Sequence, residues 1–136
     1  MTSDPGQHVT YFSKIEADEC WALLGEAEVG RIAWQGDNGI SIVPVNFRLD
    51  GQTIVFQTAD GGSLARLVEP TEVAFQADDI DGESVVGWSV QVQGLTRSAE
   101  AEKEGQVSWL AGSRPVWIAV TAGAITGRVM SGTKRS

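Results

Sequence analysis

The dipeptide Asp50-Gly51 stands between two apolar runs, ISIVPVNFRL and TIVFQT, and constrains this chain more than any other short stretch. A tight hairpin turn needs a residue that accepts positive φ without steric cost, and the glycine supplies it. The pattern predicts a strand from Ile40, a turn at Asp50-Gly51 and a second strand from Thr53 to Thr58. Thr58-Ala59-Asp60-Gly61-Gly62-Ser63 then leads into a short helix carrying Leu64, Leu67 and Val68, which ends before Pro70. Two readings of this loop stand side by side. Either Ser63 caps the helix and the glycines turn the chain, or the free amides, the Thr58 and Ser63 hydroxyls and Arg66 form a phosphate seat at the positive end of the helix.

The remaining elements follow from periodicity. Residues 1–12 have no apolar period and read as a mobile arm that holds His8, the one histidine of the chain. Ser13 and Glu16 have capping-box spacing, and Ile15, Cys20, Trp21, Leu23, Leu24 and Ala27 recur at helical intervals, so a helix is expected to Ala27. Val29 to Trp34 reads as a strand closed by the turn residues Asp37-Asn38-Gly39, and residues 72–78 read as another. Beyond an acidic turn from Asp78 to Glu83, Val86, Trp88, Val90 and Val92 alternate with Gly87, Ser89 and Gln91, the period of a half-buried strand. Gly94 marks a bulge or bend in it. Residues 99–110 read as an acidic surface helix with Trp109 and Leu110 turned inward. Val116–Thr121 and Ile125–Met130 read as two strands joined at Ala122-Gly123-Ala124. The sum is a mainly β fold, a small barrel of six to seven antiparallel strands with a few helices, in one domain over residues 13–136.

Composition narrows the chemistry. Ten Lys and Arg against eighteen Asp and Glu give a net charge of −8, a surface that repels polyanions and argues against nucleic-acid binding. One histidine and one cysteine leave no material for a multi-histidine metal site, a Ser-His-Asp triad or an internal disulfide. No apolar run approaches the ~20 residues needed to span a bilayer, and the first residues lack a basic-apolar leader. The expected location is the cytoplasm.

The segments IVPVNF and TIVFQTADGGSL, with Val29-Gly30-Arg31-Ile32-Ala33, Gly87-Trp88-Ser89-Val90 and Ile125-Thr126-Gly127-Arg128, resemble the FMN-binding split β-barrel proteins, the pyridoxamine 5′-phosphate oxidase-like family, and most of all its small actinobacterial-type members. The likeness covers nearly the whole chain. It implies a split β-barrel homodimer with FMN at the subunit interface, oxidising or reducing a small molecule. Position by position, it places Pro44, Val45 and Asn46 along the flavin, Gln57 and Thr58 at the ribityl and phosphate groups, and Ser63 and Leu64 at the phosphate loop with Arg66 close by. Trp88, Ser89 and Gln91 match the strand facing the partner subunit's cofactor, and Arg128 the basic position near the carboxy terminus.

Two departures bear on that assignment. Many relatives carry Arg where this chain has Gln57 and Lys where it has Ser63, so two charged phosphate contacts are missing. Arg66 and Arg48 are the cations that could compensate. Three readings follow from the resemblance: an FMN-dependent oxidoreductase, a reductase using the deazaflavin F420, and a non-enzymatic module holding flavin, heme or another planar ligand. For heme the axial candidates are Cys20, Met130 and Tyr11. No catalytic residue and no substrate can be named.

Overall fold

The computed structural model describes residues 9–105 and 107–132. Eight strands are formed among them: β1 (Val9–Lys14), β2 (Val29–Gly36), β3 (Gly39–Asn46), β4 (Arg48–Asp50), β5 (Thr53–Thr58), β6 (Glu72–Asp81), β7 (Val86–Ser98) and β8 (Val116–Gly132). One α-helix, α1 (Ala17–Glu26), and 3₁₀ turns at Leu64–Val68 and Glu100–Glu102 complete the fold. The strands make one antiparallel sheet in the order β3-β2-β6-β7-β8-β5-β4. The 17-residue β8 is its spine. One edge of β8 pairs with β7, and the other is shared between β5, opposite Val116–Thr121, and β1, opposite Arg128–Gly132.

The sheet curls around an interior that takes alternate residues of its strands. Ile32 and Trp34, Phe75 and Ala77, Val90 and Val92, Ile54 and Phe56, and Ile118 and Val120 all face inward and are buried. Cys20 and Leu24 of α1 and Leu67 of the first 3₁₀ turn close the same core. Phe47 meets Phe75 edge to face, ring centroids 4.9 Å apart. The expected mainly β split barrel is the fold observed, with eight strands where six to seven were anticipated. Outside the barrel, Val55, Trp117 and Ala119 form a second buried cluster under Ala99 and Val107.

Several local expectations change. The Asp50-Gly51 hairpin exists, with Asp50 opposite Thr53 and Gly51 at φ +61°, but its first arm is only the three residues of β4. β3 pairs with β2 instead, because the two-residue Asp37-Asn38 connection brings Gly36 opposite Gly39 and closes a shorter loop. Residues 1–8, with His8, lie outside the described residues, whereas residues 9–12 of the expected arm belong to β1 and pair with β8. Ser13 does not cap α1. It lies in β1 opposite Val129, Glu16 occupies the cap position without a side-chain bond, and the helix begins at Ala17.

The helix expected at residues 99–110 shrinks to the turn Glu100–Glu102. Gly105 takes φ +62°, and the amides of residues 107–109 are satisfied by side chains of β5 and β3 in place of the carbonyls a helix would supply. Trp109 and Leu110 consequently point outward, 65% and 60% exposed. Ala122-Gly123-Ala124 is a bulge inside continuous β8: Gln93 faces Ala124 and Gly94 faces Ala122, leaving Gly123 over. Gly94 does mark this irregularity, since a Cβ there would lie 2.3 Å from the Thr121 carbonyl oxygen.

Candidate functional site

The polar residues singled out on β3 and β5 converge on one segment, residues 107–114. Gln57 Oε1 accepts from the Val107 and Ser108 amides, the latter at 3.0 Å, while its Nε2 donates to the Arg114 carbonyl at 3.0 Å. Asn46 Oδ1 accepts from the Trp109 amide at 2.8 Å, and its Nδ2 donates to the Glu28 carbonyl at 3.4 Å. One amide side chain thus satisfies three backbone groups across some fifty residues of sequence, which fixes an otherwise irregular segment against the sheet. Arg48 strengthens the same cover: it donates to the Glu102 carbonyl and lies 5.9 Å from the Trp117 ring centroid.

Arg97 and Glu102 close the far end of that cover with an ion pair at 2.9 Å. The Arg97 hydrogen bond is the main reason the Glu102 carboxyl titrates below its ordinary value of 4.5. Cys20 shows the opposite effect: burial, reinforced by Glu19, pushes its thiol above the ordinary 9.0. Fully enclosed under α1, that thiol is a core group.

The other sequence-selected residues fall into separate neighbourhoods. Val45 and Thr58 are buried, Leu64 and Trp88 are half-buried with their side chains against the core, and Pro44 is exposed in register with Arg31. Ser63 and Arg66 line a groove of about 490 Å³ beside the β2–β3 turn, with Trp34, Gly36 and Ser41. Arg66 reaches Asp37 there at 3.5 Å, with both side chains largely in solvent. The phosphate seat imagined at a helix start is reduced by this geometry, because Leu64–Val68 is a single 3₁₀ turn with no Ser63 side-chain cap.

Ser89 lies opposite Arg128, and Gln91 opposite Gln76, on the outer side of β7. Gln57 pairs with Trp117 and Ser89 with Arg128, so the two groups are separated by eleven residues of β8, roughly 35 Å along the strand. The structure therefore gathers Asn46 with Gln57, Ser63 with Arg66, and Ser89 with Arg128, and keeps the first set apart from the third.

A larger groove of about 1190 Å³ crosses the outer faces of β2, β6, β7 and β8, floored by Ala33, Ala74, Gly94 and Ala124 and edged by Ile40 and Leu95. Together with Ile42, the edging residues leave a broad apolar surface, Ile40 at 77% and Ile42 at 66% exposure.

One residue was not anticipated from the sequence. The Arg114 Nε is shut off from solvent and has no hydrogen-bond partner, the only such side-chain atom among the described residues. A signal was present: Arg114 is the sole Lys or Arg between Lys103 and Arg128 and lies two residues before β8. Among the described residues no group of three His, Cys, Asp or Glu side chains could hold a metal ion, and no helix is long and apolar enough to cross a membrane.

Comparison with known proteins gives this geometry a context. An FAD-binding protein from Mycobacterium smegmatis superposes with a TM-score of 0.70 at 34% identity, over 88% of this chain and 98% of that one. An uncharacterized protein of Mycobacterium tuberculosis is 38% identical over 87 residues, which make up 59% of this chain and 77% of the relative. An FAD-binding protein from Mesorhizobium loti shares the fold, with a TM-score of 0.74 at 18% identity over 89% of this chain and 98% of its own. The family model described as pyridoxamine 5′-phosphate oxidase matches residues 16–129, from the α1 cap to three residues short of the end of β8, and the chain therefore belongs to that family of split β-barrel proteins.

Proposed function

We propose that this protein binds a flavin nucleotide between two copies of itself and uses it as a redox centre for a small-molecule substrate. The observation that carries the reading is the 34% identity to an FAD-binding protein over 88% of the chain. The cofactor proposed is FMN, and FAD extends the same ring and phosphate. A bound flavin supplies electron and hydride transfer by itself, so the protein need only hold and orient it. That suits a chain with a single histidine and with its one cysteine enclosed in the core.

Residues of this chain fit such a ligand in three respects. Trp109 offers a largely exposed aromatic face on a backbone held by Asn46. The unpartnered Arg114 Nε is a donor suited to an anion. The separation between the Gln57 and Ser89–Arg128 groups favours a site completed by a second chain, which would bring one subunit's Gln57 side near the other's β7–β8 face. The bare apolar surface around Ile40 and Ile42 supports such a pairing.

Of the heme candidates, Cys20 is enclosed and Met130 is half-buried within β8, while the Tyr11 side chain lies outside what the structure describes. The deciding experiment is an absorption spectrum of the purified protein after separate equilibration with FMN, FAD, F420 and heme, followed by desalting. Retention of the FMN or FAD band is expected. Retention of F420 or heme alone would replace the cofactor, and retention of none would end the redox reading.

A further inference from the structure

We propose that Arg114 is this protein's phosphate contact, binding the flavin nucleotide's phosphate in place of the cations that relatives carry at the positions of Gln57 and Ser63. The inference deepens the flavin reading and rests on it. A guanidinium N–H withdrawn from water without an acceptor loses its hydration with nothing in return, so such a donor calls for an explanation. An anionic ligand is one, and a guanidinium fork matches phosphate oxygens in charge and geometry.

The position of Arg114 is held independently of any ligand. Its carbonyl accepts from Gln57 Nε2 at 3.0 Å, the same Gln57 fastens the amides of residues 107 and 108, and Pro115 limits the backbone on its other side. Three other arginines are engaged. Arg48 donates to the Glu102 carbonyl, Arg97 is paired with the Glu102 carboxylate, and Arg66 lies with Asp37 at the β2–β3 turn. Gln57 itself has its oxygen and its amide nitrogen committed to the main chain of residues 107–114. Replacing the family's cation at that position with glutamine therefore converts a ligand contact into a fastening, and moves the available positive charge to the residue whose carbonyl the glutamine holds. In a chain of net charge −8, one such cation decides whether an anion is drawn to this face.

Fluorescence-quenching titrations with riboflavin, which has no phosphate, and with FMN test this directly. The wild-type protein is expected to bind FMN at least tenfold more tightly than riboflavin. Arg114→Gln is expected to bring the two affinities together while leaving that for riboflavin unchanged, and Arg114→Lys, which retains the charge, to keep part of the preference. Because Gln57 bonds the Arg114 carbonyl and not its side chain, the substituted proteins keep that tie, which a thermal melt verifies. An undiminished FMN preference in Arg114→Gln, or an equal loss for both ligands, overturns the assignment of Arg114 and leaves the flavin reading standing. So does a wild-type protein that binds both ligands equally. Absence of binding by either flavin to the wild type removes the flavin reading and the Arg114 assignment with it.

Discussion

The two outer faces of the sheet are finished in opposite ways. On the β4–β5–β8 face, the chain covers its own Val55, Trp117 and Ala119 with Ala99 and Val107, and polar side chains from neighbouring strands fasten residues 107–109. On the β3–β2–β6–β7 face nothing from the described chain covers Ile40 and Ile42, and the surface is floored by alanine and glycine. The contrast teaches which residues belong to the fold. Asn46 and Gln57 resemble ligand contacts in sequence because they are polar residues at strand ends, yet their hydrogen-bonding capacity is spent on main-chain groups. The bare face spends little on internal ties and is free to receive another molecule.

The strongest way to break the bare face is from beneath. Gly94→Ala directs a methyl group at the Thr121 carbonyl, 2.3 Å from the new carbon, and forces β7 away from β8 at the bulge. A loss of about 3 kcal/mol is expected in denaturant unfolding, whereas a loss near zero would mean the bulge adapts freely. Next in size is an attack on the covered face. Gln57→Leu strips acceptors from two amides and a donor from one carbonyl, for an expected loss of about 2 kcal/mol. Hydrogen exchange should accelerate at Val107 and Ser108 while β6 and β7 stay protected. Uniform acceleration would show that the cover is not a separable unit.

Substitutions on the bare face should act differently. Ile40→Ser with Ile42→Ser alters two exposed side chains and is expected to change the stability of the isolated chain by no more than about 0.5 kcal/mol. The same pair should abolish self-association in sedimentation experiments, and unaltered association would place the dimer contact elsewhere. The smallest effect concerns pH. Arg97 lowers the folded-state pKa of Glu102 beneath 4.5, so the pair's contribution is present above pH 4.5 and disappears as pH falls through the depressed folded value. Exchange at Glu100–Glu102 should therefore rise in acid before the barrel opens, and Arg97→Gln should remove that early step.

Legibility from the sequence followed the reach of the interactions. β7 was readable because alternation records burial locally, β2 and β5 because turn signals bound their apolar runs, and Gly94 because only glycine tolerates so close a backbone approach. The partner of β3 was not, since two turn signals, Asp37-Asn38-Gly39 and Asp50-Gly51, competed and the shorter connection prevailed. Residues 99–110 looked helical by composition, but their conformation depends on acceptors at Asn46 and Gln57, far away in sequence. The candidate site suffered for the same reason. Family likeness pointed to Gln57 as a phosphate contact, and only the folded chain reveals that its side chain holds residues 107–114 and that Arg114 is left with a buried, unpartnered donor.

Sedimentation velocity monitored at the flavin absorption band shows whether a flavin is held between two copies of this chain. With FAD added at slight substoichiometry to the protein, the flavin signal is expected to sediment as one species with twice the 14.5 kDa mass of a single chain. Flavin sedimenting with a single chain, or remaining free at protein concentrations where the chain is dimeric, would contradict it.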